Sequence, residues 1–290
     1  MEEVYTLLYG HYVEDDHATF RFNYSKAFLN WALKAPGWLP QWHVGVRAKA
    51  SKKLCAFISG IPVTIRVRDQ QFRCPEINFL CVHKKLRSKR LAPVLIKEIT
   101  RRCNLENIWS AVYTAGIIIP KPVTSCRYFH RSIDWLKLYE VGFSQLPASS
   151  TKKRQIAKYN LPDKTATKGL RKMEKKDVPE VHKLLDRYLK KFDIAPVFTE
   201  EEIEYWLVDK EEVVWSYVVE VHTYTPLYVF LLMQNILGPK YTQNYRLLLV
   251  LLTRIVRHPI IKTLRSQSRL SLLLCLRDRL RNRRGRQEKL

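Results

Sequence analysis

Between His83 and Arg90 the sequence reads HKKLRSKR, with five Lys or Arg residues and no acid. Ahead of it, Ile77, Phe79 and Cys81 alternate with Asn78 and Leu80 in an apolar, β-prone run. Behind it, Leu91, Val94, Leu95 and Ile99 recur at spacings of three and four, one apolar face of a helix, and Pro93 fits the first turn. A strand feeding a helix through a basic loop gathers free backbone N–H groups and fixed positive charge. That combination holds a phosphate or pyrophosphate. A solvated charge run joining two elements is the other reading of the charge alone.

Other residues able to do chemistry are fewer. Glu14, Asp15 and Asp16 form an acidic loop, followed by the alternating aromatics Phe20, Phe22 and Tyr24. His130 stands alone in CRYFHRS, a pattern more often packed or exposed than catalytic. The six cysteines, at 55, 74, 81, 103, 126 and 275, show no C-x-x-C and no paired spacing, which supports neither a disulfide scaffold nor a metal site. A reducing compartment and a cytoplasmic location are expected. No secretory signal follows Met1, and the longest apolar run, Leu247 to Leu252, is too short for a membrane span.

The elements that must position these residues are legible in outline. Ser25 is placed to cap a helix through Phe28, Leu29, Ala32 and Leu33, stopped by Pro36-Gly37. Residues 54 to 67 and 76 to 83 read as strands joined by a polar turn, followed by the helix from 91 and a strand from Trp109 to Thr114. After a polar, basic stretch from 148, Asp177 and Glu180 stand at capping-box spacing ahead of an amphipathic helix. Thr199 and Glu202 repeat that signal, and residues 213 to 219 read as a strand. The formal net charge is +24, and residues 221 to 290 carry 14 Lys or Arg against 2 acids. Such an excess points to anionic partners: phosphates, nucleic acid or an acidic membrane surface. Leu270, Leu273, Leu274, Arg277 and Leu280 allow a helix with an apolar side in this Leu- and Arg-rich tail.

The run Arg87 to Ala92 resembles the R-x-x-G-x-G/A loop of GNAT-type acyltransferases, with Arg90 where most of that fold has Gly. The strings YVEDD, FRF-Y, PGWLPQWH, EINFLCVHKKLRSKR, AVYTAG, CRYFHRS and PEVHKLLDRYLKKF more closely resemble the N-myristoyltransferase (glycylpeptide N-tetradecanoyltransferase) family, from about Glu3 to Glu220. The resemblance implies an α/β fold, a mixed-sheet GNAT-like architecture with one complete half and a truncated second. Residues 1–150 would bind myristoyl-CoA, 151–220 would begin the peptide-binding half, and 221–290 would be a divergent basic tail.

It also implies an acyltransferase that uses myristoyl-CoA as co-substrate, with no permanently bound cofactor and no metal, acting on peptides with an N-terminal Gly. The backbone amides of Phe79 and Leu80 would form the oxyanion hole, where one lost donor typically costs roughly 3–4 kcal/mol. Phe79, Leu80, Cys81, Val82, Arg87, Ser88, Lys89, Arg90, Leu91, Ala92 and Pro93 would hold the acyl-CoA. Val13, Asp15, Asp16, Phe20, Phe22, Tyr24, Asn78, Thr114, Gly116, Tyr128 and His130 would contact the peptide, the acidic loop closing over it. A monomer is expected, and the charge also fits peripheral contact with the ribosome or an anionic membrane.

Two departures qualify the expected activity. The chain begins inside the family's catalytic domain, and after Glu220 the family pattern gives way to the basic tail. An N-terminal amine is only about one-tenth neutral at pH 7. The family's base is the C-terminal carboxylate, carried here by Leu290 beside Arg283, Arg284 and Arg286. The expectations are therefore that 221–290 does not complete the second half, that the strand at 213–219 lacks partners, and that turnover is low or nil. The alternatives are an inactive acyl-CoA-binding remnant, or a tail that binds anionic membrane or nucleic acid.

Overall fold

A computed structural model describes residues 1–15, 17–116, 122–124, 132–163 and 165–219, together with the backbone of 125–128, 228–234, 248–251 and 268–275. The first elements are α1 (Glu2–His11), α2 (Lys26–Leu33), β1 (His43–Arg47), β2 (Leu54–Val67), β3 (Gln70–Val82), α3 (Leu91–Leu105), β4 (Ala111–Ala115), β5 (Thr124–Tyr128) and α4 (Trp135–Glu140). There follow α5 (Lys152–Tyr159), β6 (Leu170–Lys172), α6 (Val178–Leu189), β7 (Ile194–Val197), α7 (Glu200–Leu207), β8 (Val214–Val219), β9 (Tyr228–Gln234), β10 (Leu248–Leu251) and β11 (Ser268–Cys275).

Two mixed or antiparallel sheets organise these elements. One runs β1-β2-β3-β4-β11-β5, with β7 added along the far end of β2, and the other runs β10-β9-β8-β6. The long hairpin of β2 and β3 is the spine of the first sheet. Leu7 and Leu8 of α1 and Phe28, Leu29, Trp31 and Leu33 of α2 pack with Phe57, Phe79 and Cys81. Leu95, Ile99 and Cys103 of α3 pack instead with Trp42, Val44, Ala56 and Ile58. Alternation along β2 thus separates two cores, with Phe57 in one and Ala56 and Ile58 in the other. Close approach of α3 depends on Gly60, where a Cβ would lie 3.3 Å from Ile77 and Pro75 and 3.4 Å from Ile99.

Local signals account for most helix starts. Ser25 accepts from the Phe28 N–H, and Thr199 and Glu202 form a reciprocal capping box. Asp177 differs from its expected role. Its carboxylate makes no cap bond to α6 and instead receives the Glu174 N–H and both terminal nitrogens of Arg171. Asp177 is the last residue of the 3-10 turn Lys175–Asp177 and completes a reciprocal capping box with Glu174. Its carboxylate therefore faces back toward that turn and Arg171 rather than forward to α6.

The tail also departs from expectation. β8 does not lack partners: it pairs antiparallel with β6 on one side and with β9 on the other, and β10 extends that sheet. Residues 268–275, read from spacing as part of a helix, form the strand β11 between β4 and β5. A dense run of Leu satisfies either period, so spacing alone could not decide between them.

Candidate active site

The site begins with a fault in β3. The β2–β3 register passes from Ser59↔Asn78 to Phe57↔Cys81, so Ile58 stands opposite two residues, Phe79 and Leu80. Phe79 has φ +56°, a left-handed conformation uncommon outside Gly. This is a β-bulge, and it changes which way the strand faces. Ile77 packs with the α3 core, whereas Phe79 and Cys81 pack with α1 and α2. Unbroken alternation would have put all three on one face. The bulge also lies where the sheet parts. Parallel pairing of β3 with β4 covers Glu76↔Val112 and Ile77↔Tyr113 and goes no further.

Side chains brace the fault. The Ser59 hydroxyl donates to the Asn78 carbonyl at 2.9 Å, and the Asn78 amide donates to Glu76 Oε1 at 3.1 Å. Burial raises the Glu76 carboxyl above the usual range, with the Asn78 bond pulling the other way. Tyr12 lies 5.9 Å from Phe79, ring to ring, and burial pushes its hydroxyl up to about 12. Tyr24 meets Phe79 edge-on at 5.5 Å and stacks on Phe28 at 4.9 Å, with Phe22 parallel to it at 5.9 Å. Three of the aromatics assigned to the peptide groove or oxyanion hole therefore touch in series, from exposed Phe22 to buried Phe79.

Past the strand, Lys84–Lys89 form a 3-10 turn whose cap is His83, the imidazole accepting from the Lys85 N–H at 3.2 Å. Arg90 then takes φ +54°, ψ +33° and becomes the N-cap residue of α3. The Gly of the general acyltransferase loop is absent, but the backbone shape that Gly would supply is kept. No side chain caps α3 and its first turn holds no acid, so its N-terminal amides point at the basic loop unopposed. The side chains of Ser88, Lys89 and Arg90 are exposed, and Lys89 and Arg90 make no ion pair among the described residues. Arg87 is held in place by donating to the His11 carbonyl at 2.7 Å.

The remaining assigned residues divide. Leu80 is exposed beside the bulge, but the Cys81 and Val82 side chains belong to the packed cores, leaving only their backbone to meet a ligand. Burial pushes the Cys81 thiol up to about 12, so it is not a thiolate nucleophile. Leu91 and Ala92 are half-buried and Pro93 is exposed in the first turn of α3. Val13 and Phe20 lie on a small hairpin closed by Phe22 N–H to Val13 carbonyl and Asp15 N–H to Phe20 carbonyl, each 3.1 Å. The Asp15 carboxylate accepts from the Phe20 N–H, which holds its pKa down, so it is engaged in closing the hairpin tip. Thr114 and Gly116 are exposed, one and three residues beyond the last β4 residue paired with β3, Gly116 just past the end of β4. For Tyr128 only the backbone, on β5, is described, and Asp16 and His130 lie outside the described residues.

Several contacts around the site carried no sequence signal. His11 and His83 face each other with ring centroids 3.9 Å apart, and burial, aided by His83 and Lys84, lowers the His11 pKa. Glu14 joins Lys84 to Arg21. Among the described residues no three His, Cys, Asp or Glu side chains gather as metal ligands would, and no helix is long and apolar enough to cross a membrane.

The family profile described as "Myristoyl-CoA:protein N-myristoyltransferase, N-terminal domain" matches residues 1–126, and that described as the C-terminal domain matches 140–236. The chain belongs to the N-myristoyltransferase family. The match reaches 16 residues beyond Glu220, where the family pattern was expected to end, and it takes in β9. A glycylpeptide N-tetradecanoyltransferase of Emericella nidulans is 62% identical over 238 residues, 79% of this chain and 48% of the relative. One from Arabidopsis thaliana is 58% identical over 245 residues, 83% of this chain and 56% of the relative. The chain thus spans about half the length of these N-myristoyltransferases. A crystal structure of Saccharomyces cerevisiae N-myristoyltransferase with bound myristoyl-CoA superposes with a TM-score of 0.76 at 50% identity, covering 85% of this chain and 60% of the other.

Proposed function

We propose that this chain acts as the acyl-CoA-binding part of an N-myristoyltransferase, taking myristoyl-CoA as co-substrate and an N-terminal glycine peptide as acceptor. In this reading residues 1–150 form the acyl-CoA half, and 151 onward begins the peptide-binding half. The observation that carries it is the succession of the Phe79 bulge, the basic turn and the Arg90-capped start of α3 along one continuous segment. The phosphates of the co-substrate would meet Arg87 to Pro93. Its thioester carbonyl would lie against the amides of Phe79 and Leu80, which the bulge turns out of the regular ladder. The glycine nitrogen would then attack the thioester carbon, forming the amide bond and releasing the CoA thiol, while a proton leaves the amine. Backbone amides fixed before reaction stabilise the oxyanion without reorganising. Asn78 and Thr114, where β3 and β4 part, would steer the amine, and the hairpin from Val13 to Phe22 would flank the peptide.

The test is calorimetry with CoA and a transfer assay on an N-terminal glycine peptide, using the full chain. Charge-assisted phosphate bonds contribute about 1.5–3 kcal/mol each. Lys89→Ala with Arg90→Ala is expected to weaken CoA binding by at least tenfold and flatten its salt dependence. Unchanged affinity would overturn the phosphate assignment. Binding without transfer would identify the chain as an acyl-CoA-binding piece of the enzyme, and turnover as a working transferase.

A further inference from the structure

Glu14 sits where three segments meet. Its Oε2 accepts from Lys84 Nζ at 2.7 Å and from Arg21 Nη2 and Nε at 3.0 and 3.2 Å. Lys84 opens the basic turn, and Glu14 and Arg21 face each other across the neck of the acidic hairpin. The Glu14 side chain is 16% exposed and that of Arg21 20%. The same guanidinium donates to the Tyr9 carbonyl at 3.0 Å, while Arg87 of the basic turn donates to the His11 carbonyl at 2.7 Å. Both loops therefore grip the last turn of α1, and one carboxylate oxygen holds a cation from each. Lys84, and after it Arg21, lowers the pKa of that carboxyl, with burial pulling the other way.

That arrangement is a shared anion with two claimants, and one of the claimants belongs to the loop expected to receive phosphate. A pyrophosphate seated on Arg87 to Pro93 brings two negative charges to the turn that Lys84 opens, and so competes with the Glu14 carboxylate for that ammonium. Whatever Lys84 gives up, Glu14 and Arg21 must rearrange to absorb, and they form the neck of the hairpin. We propose that Glu14 is a positioning residue that couples the two loops, passing phosphate occupancy of the basic turn through Lys84 to the hairpin from Val13 to Phe22. This rests on the basic turn being a phosphate site, as argued above. A ligand shifts another segment only through differential contacts, and here those contacts are the three bonds on Oε2.

The experiment is hydrogen–deuterium exchange of the full chain with and without CoA, followed over residues 12–24, with CoA affinity measured in parallel by calorimetry. In the wild-type chain, bound CoA is expected to change hairpin exchange about fivefold or more, the lower end of usual coupling. In Glu14→Gln, CoA still binds but the hairpin response is lost. Lys84→Met also loses a phosphate contact and is expected to bind CoA more weakly, yet at saturating CoA its hairpin stays silent. The double variant matches either single one in hairpin response. Glu14→Asp, which keeps the charge, restores part of the response, a rescue that a merely structural role would not give. Thermal unfolding of each variant checks that it is folded. An undiminished response in either single variant, or a silent hairpin in a wild-type chain that binds CoA, would overturn the coupling and leave the phosphate site standing. Failure of the wild-type chain to bind CoA would overturn both.

Discussion

The hydroxyl of Ser59, 1% exposed, donates across the hairpin to the carbonyl of Asn78, the residue immediately before left-handed Phe79. A non-Gly residue in that region carries strain of order 1–3 kcal/mol and persists only when its surroundings hold it. Ser59 is one such holder, and the ring contacts of Phe79 with Tyr12 and Tyr24 are others. Ser59→Ala is expected to lower stability by about 1 kcal/mol, the usual worth of one buried hydrogen bond. If the bulge faces the thioester and the basic turn the phosphates, as proposed, acyl transfer should fall more than CoA affinity. A urea midpoint equal to wild type would show that the ring contacts alone hold the bulge.

Arg90 separates charge from conformation. Its φ of +54° costs roughly 1–2 kcal/mol in an L-residue and almost nothing in Gly. Arg90→Gly is therefore expected to raise stability by about 1 kcal/mol while weakening CoA binding. Arg90→Ala should weaken binding similarly without the gain. Paired thermal melts and calorimetry on the two variants check this, and a Gly variant less stable than the Ala variant would contradict the left-handed cap.

The frame of this site was legible because it is local. The strand from Leu54 to Val67, the helix from Leu91 and the caps at Ser25 and Thr199 each follow from residues within a few positions of one another. The bulge was not legible, since Ile77, Phe79 and Cys81 alternate like any regular strand and nothing in Phe79 announces a positive φ. Nor could spacing reveal Glu14 on Lys84, 70 residues apart, or Asp177 turned back onto Arg171. Such pairs are settled by how the chain folds back. The family resemblance supplied the roles proposed for Phe79 and Leu80, which as plain sequence read as a buried strand. It ended too early in the tail, where the apolar run Tyr228–Gln234, free of Arg, pairs with β8 as β9.

Trp31 and Tyr205 exchange hydrogen bonds between α2 and α7. The indole N–H donates to the Tyr205 carbonyl at 3.1 Å, and the Tyr205 hydroxyl donates to the Trp31 carbonyl at 2.8 Å. Trp206 adds an edge-on contact with Trp31 at 4.8 Å. This reciprocal pair ties the N-terminal helices to the part of the chain beyond residue 200. Tyr205→Phe, which keeps the ring, is expected to cost about 1 kcal/mol. Trp31→Phe should cost more, since it also loses packed indole area. In a double-mutant cycle the two should fall short of additive because they share an interface. Full additivity in chemical denaturation would mean that the two bonds act independently.

Asp177 gives the clearest dependence on pH. It is 7% exposed, and its two oxygens accept from Arg171 at 2.7 Å each and from the Glu174 N–H at 2.8 Å. Arg171 is the chief cause of a pKa below the ordinary aspartate value, with burial opposing it. A depressed folded-state pKa means that the unfolded chain takes up the proton first as pH falls. The stabilisation is therefore complete above the ordinary aspartate range and drains away as pH drops through the lower folded value. Asp177→Asn leaves Arg171 facing a neutral amide and is expected to cost about 2 kcal/mol at pH 7, in the range of hydrogen bonds to charged groups. The gap between wild type and variant should narrow as pH is lowered from 5 to 3. Urea denaturation at several pH values measures it directly, and a gap that stays constant over that interval would show that the Arg171 pair does not set the acid sensitivity of this region.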